Sequence, residues 1–231
     1  VRAVPARRAK PVRRAVDGPR LAASLEPVDA QSVDDGTEWR DAEIVGELAG
    51  REIVDVDFSG CVFRQVSFTG ARLEEARIAD CLFDSCDLSG MWLEAARLDR
   101  VELRSCRMLG WLAPLAHLAD VRARDCRLDE ANLRMSTGHH VQFDSCSMRA
   151  ADLYQCRWES ARFFDCDLTK CRFDQVDLRG ARLHGSTLDD LVAADCLRGV
   201  IIDSSQLSAL GYAVLGALGV TTDDDREPDD G

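Results

Sequence analysis

The chain has 231 residues, with 41 acidic and 29 basic side chains and a formal net charge of −12. That length suits one domain with tails, and the acidic balance argues against a general nucleic-acid binder. Ten cysteines without a secretory signal point to a reducing, cytoplasmic setting, and no apolar run approaches the ~20 residues of a membrane span.

Residues 1–37 lack apolar periodicity. Arg2, Arg7, Arg8, Lys10, Arg13, Arg14 and Arg20 are interspersed with Pro5, Pro11 and Pro19, which reads as a disordered basic arm. Binding to an anionic partner and an incidental extension are both open to it. Trp39 to Arg51 lead into the body, and Ile44 and Leu48 are expected to cap its first coil.

From Ile53 a large apolar residue recurs at every fifth position: Phe58, Phe63, Phe68, Leu73, Ile78, Phe83, and onward to Leu188. Only Ala113, Ala123 and Gly138 break this frame of centres. Two residues before each centre sits a small or β-branched residue. All ten cysteines fall in that second frame, and every Phe but Phe164 falls in the first. In extended chain, residues i and i−2 point to the same side, so centre and small partner face inward together. A period of five fits neither a helix nor long strands. It fits short extended sides joined by corners, wound into coils that bond to the coils above and below.

The motif Ala71-Arg72-Leu73-Glu74-Glu75, repeated as Cys86-Asp87-Leu88-Ser89-Gly90, resembles that of the pentapeptide-repeat proteins. The resemblance covers residues 53–188. It implies an all-β solenoid, a right-handed quadrilateral β-helix of about seven coils, with four pentapeptides per coil over 38–204. A stride of 20 then stacks Cys86, Cys106, Cys126, Cys146 and Cys166 in one column. Buried cysteine behaves as a small hydrophobe, and neighbours ~4.8 Å apart are poorly placed for disulfides. Packing is therefore preferred over a thiol metal site, and reduced thiols are expected.

Two irregularities stand out. In Leu109 to Asp120, Trp111 is too large for a small-residue slot and Pro114 cannot donate to a ladder. One stride relates Trp92 to Leu112; with Pro114 and Leu115 they form a candidate partner patch, unless a tail covers them. At Gly138 a centre lacks a side chain, and Trp158, one stride on, is expected to lean into the space. His139 and His140 follow on outward positions. No acid, cysteine or third histidine has matching spacing, and they read as solvated, with no metal assigned.

After Leu188 the beat decays. Residues 205–219 read as an α-helix capping the rod, with a Ser N-cap and Leu207, Leu210, Val214 and Leu218 on one face. The resemblance also makes this helix a candidate homodimer contact. Residues 220–231 read as a disordered acidic tail.

No phosphate loop, nucleophile elbow or metal motif occurs, so no catalytic residue, cofactor or enzyme activity is expected. The family resemblance implies protein binding, including DNA mimicry directed at DNA gyrase. Duplex DNA displays one charge per ~1.7 Å. The outward positions here are only weakly acidic, rich in arginine just before the centres, and show no dominant acidic stripe. The expectation is a rod-shaped protein-interaction module, with gyrase or another topoisomerase as the specific candidate. Direct nucleic-acid binding through the basic arm and the Arg rows is the alternative.

Overall fold

The computed structural model describes residues 15–191, 197–217 and 219–220. Its plan follows from where the chain turns. Every fifth residue takes the left-handed conformation, with φ between 49° and 60° at non-glycine corners such as Asp55, Asp80, Arg100 and Asp125. Short polar side chains and glycine tolerate this region best, and they fill most corners. Between corners lie extended sides of about three residues, such as Val62–Arg64, Leu82–Asp84 and Gln142–Asp144.

Each side pairs in parallel with the equivalent side one coil away. Val62 pairs with Leu82, Leu82 with Glu102, Glu102 with Arg122, Arg122 with Gln142 and Gln142 with Arg162. The stride is the expected 20 residues, and the result is a β-solenoid of about seven turns. At ~4.8 Å per coil it is about 34 Å long. Backbone donors and acceptors are thus satisfied between coils, which frees the interior to be apolar.

That interior is the two frames read from the sequence. Phe63 and Phe83 stack at 4.5 Å with ring planes 5° apart, and Phe143 stacks on Phe163 at 5.3 Å. Trp111 does enter the small slot and is 4% exposed. It fits because its neighbouring centre is only Ala113 and the slot residue one coil on is Ala131, so large and small residues have exchanged places. At Gly138, Trp158 occupies the expected space. Its Cδ1 lies 3.2 Å from where a Gly138 Cβ would stand, and its Nε1 donates to Ser136 Oγ at 3.0 Å. Ser136 stands in a slot given mostly to Ala, Cys or Val, and its hydroxyl supplies the acceptor that a buried indole N–H needs.

The N-terminal boundary needs correction. Glu26–Asp29, inside the expected arm of 1–37, is a strand paired in parallel with Ala42–Val45. A 3-10 turn, Ala30–Ser32, follows, and Ala30 and Val33 are fully buried. The coil is irregular: Glu26 pairs with Ala42 at a separation of 16, and Glu38 with Asp57 at 19, so neither the frame nor the stride announces it. Arg51 holds it in place, donating to Gln31 O at 3.2 Å, Val33 O at 2.7 Å and Asp34 Oδ1 at 3.0 Å. Ile44 and Leu48 lie in the core, and this N-terminal layer packs over them. Residues 1–14, with most of the basic arm, lie outside the described residues.

The C-terminal helix also differs from expectation. Helix α1 is Leu207–Ala217, entered through a 3-10 turn, Ser204–Gln206, whose N-cap is Asp203 rather than a serine. Leu207 is 61% exposed and Val214 39%, so the expected apolar face does not bury itself in the rod. Leu210 packs partly against the core, together with Leu197, Val200 and Ile202. The group that seats against the last coil is Gln206, 6% exposed, whose Nε2 donates to Leu183 O at 2.5 Å and Ser186 O at 2.6 Å. Open coil carbonyls are better satisfied by an amide than by leucine. Leu218, Cys196 and the acidic tail over 221–231 lie outside the described residues.

Candidate functional site

One side of the rod differs from the rest. It is built from residues 52–55, 72–75, 92–95, 112–115 and 132–135, stacked through the pairings Glu52 to Arg72, Arg72 to Trp92, Trp92 to Leu112 and Leu112 to Asn132. The sequence-predicted patch is therefore contiguous. Leu115 is 47% exposed, and Trp92, Leu112 and Pro114 are half-buried around it. Met135, one coil above Leu115 and 41% exposed, extends the patch and was not foreseen. Leu115 and Met135 both sit at left-handed corners, with φ of 59° and 57°. Large apolar side chains are disfavoured there on grounds of conformation and of solvation alike.

Below the patch the same side is acidic. Glu52, Asp55, Glu74, Glu75 and Glu94 are exposed on three successive coils, with Arg72 among them. Arg72 pairs with Glu74 at 2.7 Å and lays its guanidinium 4.8 Å from the Trp92 ring centre. Among the described residues, no ion pair is formed by Glu52, Glu75 or Glu94. Arg72, Glu75, Trp92 and Glu94 line a shallow groove of about 390 Å³. Counting charge over the whole surface hid this segregation.

Elsewhere charges are largely matched across coils. Arg64 bridges Glu43 and Asp84, Arg122 meets Asp144 at 2.6 Å, and Arg124 lies between Glu102 and Asp144. The corner column Asp80, Arg100, Asp120, His140 alternates acidic and basic residues. Arg100 grips Asp80 through two bonds of 2.7 Å, and Arg100 beside it holds the Asp80 carboxyl below the usual range. The described start of the chain lies along this column: Asp17 N donates to Asp120 Oδ1 at 3.1 Å and Arg20 N to Asp80 Oδ1 at 3.0 Å. These contacts place residues 17–20 on a corner away from the apolar patch.

His140 corrects the sequence reading, because an acid does share its spacing: Asp120 is one stride below. His140 Nδ1 lies 3.3 Å from Asp120 Oδ1, and His139 is its neighbour.

Cys86, Cys106, Cys126, Cys146 and Cys166 lie in the core one stride apart. The nine described cysteines are free and buried. Their thiols also make weak directional contacts. Cys106 Sγ meets Phe83 O and Arg104 O at 3.5 and 3.3 Å, and Cys166 Sγ meets Phe143 O and Phe164 O at 3.5 and 3.4 Å. Ser186 continues the column, its Oγ donating to Phe163 O at 3.1 Å. A slot that accepts serine wants a small donor, not only a small hydrophobe. Burial pushes the Cys156 and Cys171 thiols up to about 12. Neither can present a thiolate at neutral pH, and thiolate is the reactive form. Native protein is expected to leave Cys156 and Cys171 unalkylated by iodoacetamide at pH 7.5, and urea-unfolded protein to expose them. Peptide mapping that finds Cys156 or Cys171 modified before unfolding would overturn this.

At the C-terminal end, Leu197, Val200, Ile202, Leu207, Leu210 and Val214 border an apolar groove of about 470 Å³.

Parallel sides of five residues, stacked at a stride of twenty around a closed core, define a repeat-built solenoid. Family models described as pentapeptide repeats match residues 55–92 and 159–190. In both stretches the chain carries the repeats of the pentapeptide-repeat family. Among solved structures it is similar to a trypsin-treated variant of QnrB1, a plasmid-mediated fluoroquinolone resistance protein, at 21% identity over 86% of this chain and 98% of that one, with a TM-score of 0.41. It is also similar to HetL, a pentapeptide repeat protein involved in heterocyst differentiation regulation in the cyanobacterium Nostoc, at 20% identity over 78% and 92%, with a TM-score of 0.33. A pentapeptide repeat protein of the Arabidopsis thaliana thylakoid lumen matches at 14% identity over 72% and 84%, with a TM-score of 0.23. No curated protein matches the sequence.

Proposed function

We propose that this rod is a non-enzymatic protein-interaction module. It engages its partner through the side that carries Glu52, Asp55, Glu74, Glu75 and Glu94 beside Trp92, Leu112, Pro114, Leu115 and Met135. The observation that carries this reading is the pair of exposed corner residues Leu115 and Met135. Each holds a large apolar side chain in solvent at a positive φ, where the other left-handed corners are polar, glycine or alanine. A feature that costs folding energy twice over is better explained by contact with a partner. The adjoining acids select a partner that combines a basic patch with an apolar one.

The sharper form of this reading is DNA mimicry at gyrase or a related topoisomerase, in a rod wound right-handed as parallel crossovers are. Acids on successive coils repeat at ~4.8 Å, against ~3.4 Å between phosphates along one DNA strand. The acidic stretch covers three coils before it turns apolar, so mimicry here would be local. Direct nucleic-acid binding is the weaker reading, because several surface arginines are occupied by cross-coil carboxylates. Under the favoured reading, the purified chain inhibits gyrase supercoiling, or relieves quinolone poisoning, in a way that added salt weakens. Unchanged gyrase activity with a rod shown to be folded by circular dichroism would remove the topoisomerase form.

A further inference from the structure

We propose that Asp120, His139 and His140 form a binding site for one divalent transition-metal ion of the zinc class. One donor atom from each residue lies within 4.8 Å of the other two. Asp120 is 7% exposed, on the strand His117–Arg124, and the solenoid stride sets His140 directly above it. His139 ends the strand Thr137–His139 and reaches the same point from the adjoining side.

The contact between Asp120 and His140 has the spacing of two metal ligands. Donors bound at ~2.0–2.1 Å to a tetrahedral ion stand ~3.3 Å apart. His140 Nδ1 and Asp120 Oδ1 are 3.3 Å apart, yet the nitrogen is buried and makes no hydrogen bond. A buried imidazole nitrogen that faces a buried carboxylate without a hydrogen bond between them is an arrangement that a shared cation would complete. The Asp120 carboxylate accepts from Asp17 N at 3.1 Å and retains further lone pairs.

The donor set selects the ion. Two imidazoles and one carboxylate suit zinc, copper or nickel, whereas magnesium and calcium prefer all-oxygen shells. His117 stands close by, its ring 6.4 Å from that of His139 and its Nδ1 2.8 Å from Thr137 Oγ1. A fourth position is left for water or for an incoming group. The local charge pattern agrees: in the corner column, Arg100 neutralises Asp80 below, and a cation beside Asp120 would continue the alternation. An ion held there would tie two successive coils together at a corner.

The test uses the full chain without an affinity tag, stripped with a chelator and titrated with Zn(II) by calorimetry. One ion per chain is expected, and Co(II) should give the visible bands of a four-coordinate site. Asp120→Asn and His140→Gln should each weaken binding at least about tenfold, as loss of one of three ligands requires. His184→Gln, at a histidine packed against Phe164, should leave it unchanged. A readout on the parent chain needs no variant: the ring resonances of His139 and His140 should shift on adding Zn(II) while those of His184 stay. Absent or far sub-stoichiometric binding, binding indifferent to Asp120→Asn, or unmoved His139 and His140 resonances would each overturn the proposal.

Discussion

Gly138→Leu, which restores the repeat's own pattern, is expected to destabilise the rod by about 1–3 kcal/mol, towards the upper end. A Cβ at Gly138 would stand 2.8 Å from Val141 Cγ2, 3.1 Å from Leu118 O and 3.2 Å from Trp158 Cδ1. Two of those neighbours are fixed, one a backbone carbonyl within the ladder and the other a fully buried β-branched side chain. The third can be changed. Trp158→Leu alone should also be costly, because it leaves a cavity and strips Ser136 of its indole partner. The double variant Gly138→Leu with Trp158→Leu recreates the stacked leucines found elsewhere in the core. Its loss should be smaller than the sum of the singles by about 0.5–3 kcal/mol, the coupling expected of residues in contact. Thermal or urea unfolding of the four proteins measures this directly. Strictly additive losses would mean that Trp158 does not compensate for Gly138.

That exchange shows which parts of this molecule are legible in sequence. A core column is a sum of volumes, so an anomaly at one position can be traced to its neighbour at a stride of 20. Gly138 with Trp158 was readable in this way, as was the meeting of Trp92 with Leu112. The same arithmetic would have paired Asp120 with His140 and Leu115 with Met135. Those are corner positions, where composition is irregular and no core beat draws attention. The N-terminal coil escaped for a different reason. Its pairings run at separations of 16 and 19, and its buried residues Ala30 and Val33 are too small to extend the frame. At the other end, the apolar periodicity of Leu207, Leu210 and Val214 suggested a buried face. Burial depends on what the helix meets, and Gln206 already satisfies the last coil. A net charge taken over the whole rod conceals that Glu52, Asp55, Glu74, Glu75 and Glu94 share one side. Electrostatic recognition depends on which side each charge occupies.

Side-specific charge leads to the second large effect. Glu75→Lys with Glu94→Lys is expected to raise the concentration needed for half-inhibition of gyrase at least about tenfold, since like charges facing a basic partner cost several kcal/mol. Neither residue forms an ion pair among the described residues, so stability should hold. Asp125→Lys with Asp189→Lys makes the same change in net charge on other, exposed sides of the rod. That control should shift inhibition little beyond a general salt-like effect. The apolar half of the site is probed by Leu115→Asp. Aspartate tolerates the left-handed corner at φ 59° better than leucine does, so the variant should fold at least as well as the parent. It should nevertheless lose binding to a comparable degree, because a desolvated leucine at the centre of a contact is replaced by a charge. If the parent inhibits gyrase and all three variants match it, the partner-binding side lies elsewhere on the rod. If the acidic pair matters and Leu115→Asp does not, contact is electrostatic alone and the exposed leucine needs another account. Loss from both halves, with the control intact, would tie the acids and the apolar corners into one interface.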